Sequence, residues 1–275
     1  MRQHPSALQR ATEEVRRLAP DAASFTIEQM DALSRGTLFH EVQHQILEAL
    51  QPWSQRSLPE LLDVTDRILD QVAAKFEEEW APAIPRVWRS EIEDMRTDLR
   101  GWIREISRSP EWVPVAAEFE FRDARLNPFL LRGKIDLIEK NTATGALRVT
   151  DHKTGRAPDQ RPAFVGGGTI LQPLLYAMAL AAKSGEPVAT GRLFYCTQRG
   201  GYTETEIRVT PTAQSHAERV LDAIDTAVAS GFLVSAPAPR ACERCDYRLV
   251  CGPYEEQRAS RKSKLMPLLQ IREMP

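Results

Sequence analysis

Two aspartates and one lysine are the residues of this chain whose types and spacing can do chemistry. Asp136 closes Gly133-Lys134-Ile135-Asp136, and Asp151 opens Asp151-His152-Lys153 fifteen residues later. On adjacent β-strands the two carboxylates converge. Lys153, two residues beyond Asp151, then shares its face, while His152 points into the opposite layer. Carboxylates placed this way can hold a divalent ion that polarises a phosphate and acidifies a water, and a lysine beside them can steady the developing negative charge. The chemistry is phosphodiester hydrolysis. The alternative is a surface Asp-Lys pair across two strands; Ile135, Leu137, Ile138 and Val149 argue against it, because they mark both strands as buried.

The elements that must position these residues can be read from apolar periodicity. Leu38, Val42, Ile46, Leu47 and Leu50 recur at helical spacing, with Gly36 and Thr37 at the helix entry. Leu61, Leu62, Val64, Ile68, Leu69 and Val72 predict a second helix, and Trp88, Ile92, Met95, Leu99 and Trp102 a third. After Pro110 the texture changes to strands over 113–121, 129–138 and 147–152, split by Asn127-Pro128 and a turn at 141–145. A Gly/Pro-rich loop over 154–168 leads to a helix from about 169 to 183. A strand over 192–197, a hairpin at Gly200-Gly201, a strand ending near Val209 and a helix over 211–230 follow. A strand reached through a crossover helix lies parallel to a neighbour, so the expected fold is α/β with a central mixed β-sheet flanked by helices. The expected organisation is a helical region over 1–110, a core over 111–232 and a cysteine-bearing tail over 233–275, together one integrated domain.

Four motifs stand in order: Arg35-Gly36-Thr37-Leu38-Phe39-His40, Gly133-Lys134-Ile135-Asp136, Asp151-His152-Lys153-Thr154-Gly155 and Gln172-Pro173-Leu174-Leu175-Tyr176. With them the chain resembles the RecB-like branch of the PD-(D/E)xK nuclease superfamily, which includes the AddB and RecB nuclease domains and the iron-sulfur exonucleases of CRISPR adaptation. The resemblance spans residues 35 to 176. It implies a restriction-endonuclease-like core and a DNA nuclease using Mg2+ or Mn2+, with His40, Asp136, Asp151 and the carbonyl of His152 as metal ligands and Lys153 as the catalytic lysine. It also implies that Gln172 and Tyr176 face the nucleic acid, that DNA ends or single strands are cut exonucleolytically in repair or recombination, and that a helicase subunit is a partner. Two other readings stay open: a silent DNA-binding scaffold module of a helicase-nuclease complex, and a restriction-type endonuclease.

Each further candidate has an ordinary reading beside the functional one. His40 on an amphipathic helix can be a common helix residue, and His44, one turn on, lies on the same face. Glu118 is either an outer carboxylate of the catalytic site or an edge-strand glutamate. Gln172 and Tyr176, at i and i+4, share a helix face, where an amide and a phenol can bind a phosphate or simply cap and pack. Gly166-Gly167-Gly168 lacks the Gly-Lys-Ser/Thr ending of a phosphate loop and reads as a flexible entrance to the site. Arg132, Lys134, Arg156, Arg161 and Arg199 are candidates for the strand's path or ordinary solvated surface.

Cys242-x2-Cys245-x5-Cys251 resembles three of the four ligands of the family's [4Fe–4S] cluster, but residues 1–195 contain no cysteine to supply the fourth. Cys196 is the remaining candidate and reads better as a small buried hydrophobe. A Zn2+ site with a non-cysteine fourth ligand fits the same spacing.

Composition bounds the alternatives. The 275 residues carry a formal net charge of -2, with 42% hydrophobic and 27% charged residues, enough for a full core and ordinary for a soluble protein. No segment reaches bilayer-spanning length, so a membrane role is not expected, and the start lacks the pattern of a secretory signal. The expected location is cytoplasmic.

Overall fold

A computed structural model describes residues 29–53, 56–158, 164–231, 235, 237, 241–245, 247–251, 254–261 and 270–275. Helix α1 spans Ala32–Ala49, α2 Leu58–Trp80 and α3 Pro85–Ile106, followed by strands β1 (Trp112–Leu126), β2 (Phe129–Asn141) and β3 (Leu147–Lys153). Helix α4 (Gln172–Ser184) crosses to β4 (Val188–Tyr195), β5 (Thr203–Arg208) returns beside it, and α5 is Pro211–Ala229. The sheet order is β1-β2-β3-β4-β5; β3 and β4 are parallel and the other pairs antiparallel. This is the expected mixed sheet of a restriction-endonuclease-like core. Among the described residues no helix is long and apolar enough to cross a membrane.

Helices α1 to α3 cover one face of the sheet. Their apolar stripes, from Leu38, Phe39 and Val42 through Leu69 to Met95, Leu99 and Trp102, meet Leu137 and Phe194 from the sheet. Helix α4 covers the other face through Ala177 and Leu180 against Ile135, Ile138 and Val149, and α5 packs outside it through Ala213, Ala217 and Val220. The first helix starts earlier than Gly36-Thr37 suggest: the Asp31 side chain accepts the Ser34 N–H at 2.7 Å and caps it, so the Arg35-Gly36-Thr37 motif lies inside α1. Strands β1 and β4 also run longer than expected, to Leu126 and from Val188.

Two glycines set the approach of α4 to the sheet. A Cβ at Gly191 would collide with the Pro173 carbonyl, so the start of α4 lies directly on β4. A Cβ at Gly133 would lie 2.8 Å from Phe121 Cζ and 3.2 Å from Tyr176 Cε1, so the glycine before Asp136 lets the Tyr176 ring settle on β2.

The helical face of the sheet also buries charge. Glu139 accepts from Arg148 at 2.9 and 3.0 Å, from Arg192 at 2.7 Å and from Thr150 Oγ1 at 2.9 Å. Burial alone would raise the Glu139 carboxyl, but Arg192 and Arg148 hold it below its ordinary value. Glu204 and Glu206 on β5 take the outer nitrogens of the two arginines, so the strands β2 to β5 are tied together across their width. Glu139→Ala leaves two buried guanidiniums short of a partner and should cost about 3–5 kcal/mol. Urea denaturation checks it; a loss below about 1 kcal/mol would show the network to be dispensable.

Candidate active site

Asp136 lies on β2 one residue before the paired part of the β2–β3 ladder, whose last partners are Leu137 and Thr150. The register therefore sets Asp136 opposite Asp151. In place of a ladder bond, Asp136 Oδ2 accepts the His152 backbone N–H at 2.7 Å, which fixes the carboxylate at the strand junction. Asp151 is 5% exposed, and Lys153 Nζ sits 2.6 Å from its Oδ2 as an ion pair rather than a well-angled hydrogen bond. Lys153 Nζ also donates to Gln172 Oε1 at 2.9 Å, and Gln172 Nε2 to the Tyr176 hydroxyl at 3.4 Å. Gln172 is the first residue of α4, where Gly191 lets the helix touch the sheet. The i, i+4 pair of the sequence thus reaches the lysine as one chain of contacts.

The helical layer delivers His40. Its Nδ1 is 3.6 Å from Asp136 Oδ2, and burial lowers its pKa against the opposing pull of Glu118 and Asp151, so the ring is neutral and offers a lone pair. A tie across layers holds α1 in place: Arg35 donates to Asp98 Oδ2 at 2.8 Å, and Asp98 Oδ1 accepts the Gln198 backbone N–H at 2.8 Å. His44 instead faces Glu48 at 3.6 Å, away from Asp136.

Among the described residues, ligand-type atoms of His40, Asp136 and His152 lie within 4.8 Å of one another. The His152 imidazole is already engaged. Trp102 Nε1 donates to its Nε2 at 3.2 Å, which places the ring proton on Nδ1 and leaves no free lone pair on the ring. Burial drives its pKa well down, so it stays neutral. Within that group Asp136 and His40 have an oxygen and a nitrogen to spare; Asp151 is not part of it but stands opposite Asp136 on the ladder, so the candidate donor set is Asp136 and His40 with Asp151 beside them. That hard donor set, with one neutral imidazole, fits a divalent cation such as Mg2+ or Mn2+. Burial, and then the facing Asp151, push the Asp136 carboxyl up to about 7. Asp151 is raised by burial, with Lys153 opposing.

Glu118 approaches the cluster from β1, and its charge acts on both His40 and Asp136. The pairs Ala117–Leu137 and Phe119–Ile135 set it opposite Asp136, its φ of 50° breaks the ladder there, and it is paired with Lys134. It sits on an edge strand, as expected, but turned toward the site. Sequence reasoning missed Trp102, which its periodicity marks only as core, and Lys134 as the partner of Glu118. The glycine loop is not a free entrance: Val165 and Gly167 N–H groups donate to the Pro275 and Met274 carbonyls at 2.8 and 2.9 Å. Arg132, Arg156 and Arg199 are exposed, and Arg161 lies outside the described residues. Cys196 is in the core, its Sγ 3.6 Å from the Lys153 carbonyl and 3.8 Å from Gln43 Nε2, and burial pushes its thiol far up. Cys242 is half-buried and Cys245 and Cys251 are exposed.

A mixed sheet with facing acids and a lysine two residues along is the architecture of a metal-dependent nuclease. The chain belongs to the PD-(D/E)XK nuclease superfamily, whose model matches residues 9–252. No curated protein matches it.

Because Asp136 binds its proton more tightly folded than unfolded, metal-free stability should fall as pH rises from about 4 to about 7, then level off. Calorimetry should show that slope reduced in Asp136→Asn. Mg2+ or Mn2+ should raise the Tm more at pH 8 than at pH 5, since the proton and the cation compete for one carboxylate.

Proposed function

We propose that this nuclease is a deoxyribonuclease of the RecB-like branch, acting on DNA ends or single strands with Mg2+ or Mn2+. The observation that carries the proposal is Asp136 facing Asp151 across β2 and β3, with Lys153 bridging Asp151 to the Gln172–Tyr176 pair. His40, Asp136, Asp151 and the His152 carbonyl would hold the cation. When bound, it supplies Lewis acidity and lowers the pKa of water. Lys153 places a fixed positive charge where negative charge builds on the phosphate, and Gln172 keeps that ammonium aimed. Gln172 and Tyr176 present an amide and a phenol to the nucleic acid. Glu118, turned toward Asp136 and His40, orients water or a ligand from the far side. The exposed Arg132, Arg156 and Arg199 supply charge for the strand's path.

The four ordered motifs support a place in DNA repair or recombination beside a helicase subunit. The Cys242-x2-Cys245-x5-Cys251 spacing supports a [4Fe–4S] cluster or Zn2+ in the tail, which metal analysis of the purified protein would tell apart. Degradation of end-labelled single- and double-stranded linear DNA and of a closed circle tests the function. Cleavage should need Mg2+ or Mn2+, stop with EDTA, spare the circle, and fall by roughly 10²-fold or more in Asp151→Ala and in Lys153→Ala. Cleavage of the circle would make the enzyme an endonuclease. DNA binding without cleavage in any metal would make it a scaffold module.

A further inference from the structure

A cleft of about 320 Å³ opens beside the catalytic lysine, on the side away from the metal-ligand cluster's carboxylates, and none of those carboxylates lines it. Its floor is β4. The parallel register pairs Asp151 with Leu193 and Lys153 with Tyr195, so the side chains of the reactive strand and those of the floor point to the same face in two adjacent rows. One wall is the turn Gly168, Thr169, Ile170 leading into α4, and Lys153 and Gln172 form the boundary shared with the metal-ligand cluster.

The wall is built rather than loose. Pro275 O accepts the N–H groups of Phe164, Val165 and Gly166 at 3.2, 2.8 and 3.3 Å, and Ile271 packs so closely under Gly168 that a Cβ there would meet its Cγ2 at 2.7 Å. The lining is mixed. Leu193 and Ile170 are apolar, while Lys153, Gln172 and Tyr195 bring a cation, an amide and a phenol. The Tyr195 ring is buried, and no described residue accepts from or donates to its hydroxyl. Burial raises its pKa, so it stays a neutral donor.

We propose that this cleft is a nucleotide subsite that takes the unit next to the scissile phosphate, with Tyr195 donating to a sugar or phosphate oxygen and Leu193 and Ile170 under the apolar faces of the nucleoside. The proposal rests on the reading of the neighbouring carboxylates as a nuclease centre. One strand spacing, roughly 4.8 Å, separates the two places, so a chain crossing Lys153 carries its next unit into the cleft. A bare phosphate would leave the apolar side unused. The volume lies at the small end of ligand pockets, roughly 300 Å³ and up, which suits one nucleotide and not two.

The test is equilibrium binding of deoxyadenosine 5'-monophosphate, deoxyadenosine and inorganic phosphate, followed by calorimetric titration of the full chain in Ca2+. Tyr195→Phe and Ile170→Trp are the variants, with circular dichroism and Tm as folding controls. The monophosphate should bind the unaltered protein at least tenfold more tightly than inorganic phosphate. It should lose about tenfold, the worth of one hydrogen bond, in Tyr195→Phe and bind no more tightly than phosphate in Ile170→Trp. Equal affinity for phosphate and monophosphate, or monophosphate binding untouched in a folded Ile170→Trp, overturns the subsite. Tyr195→Phe, which preserves the ring, keeps the test open if Ile170→Trp does not fold. Because the readout is binding, failure of the subsite is distinguishable from absence of nuclease activity.

Discussion

The structure depends on a pair of carboxylates that repel each other. Asp136 and Asp151 face one another at the end of a buried ladder, where burial raises both carboxyls and the charge of Asp151 raises Asp136 further. Left to themselves, such groups would take up protons or part. They are held by strands whose apolar residues Ile135, Leu137, Ile138 and Val149 are buried, by the His152 N–H on Asp136, and by Lys153 on Asp151. Two acids held side by side in this way favour a divalent cation, whose charge would offset the cost of burying theirs.

The rest of the fold serves that junction. The helical layer brings a neutral His40 to Asp136 and is pinned to the β4–β5 turn through Arg35, Asp98 and Gln198. Trp102 fixes the ring of His152 from below, so the residue between Asp151 and Lys153 cannot rotate into the site. On the same face, the Glu139–Arg148–Arg192 network locks β2, β3 and β4 together a few residues away. From the other face, Gly133 and Gly191 let α4 press Tyr176 and Gln172 onto the sheet.

Much of this was legible because the relevant signals are local. Helical periodicity in α1 to α3 and the two-residue spacing of Asp151 and Lys153 follow from backbone geometry alone, and a short turn made β2 and β3 neighbours. The start of α1 was misplaced because Gly36 reads as a boundary, while the capping Asp31 lies five residues earlier. Trp102, Tyr195 and the docking of Met274 and Pro275 against the glycine loop were not legible, because each depends on partners far away in the chain. A buried tryptophan or tyrosine gives the same pattern whether its polar atom is used or not. Glu118 was ambiguous for a related reason: it meets Asp136 only through the register of β1 on β2, which no residue type announces.

The most direct measurement is a crystal structure of the protein soaked in Mn2+, with the metal located by its anomalous scattering. A single peak is expected beside Asp136, Asp151 and His40, the residues that would hold the ion, and it should be lost in crystals of Asp136→Asn. A site without the two aspartates, or no ordered ion near Lys153 at saturating Mn2+, would contradict this assignment.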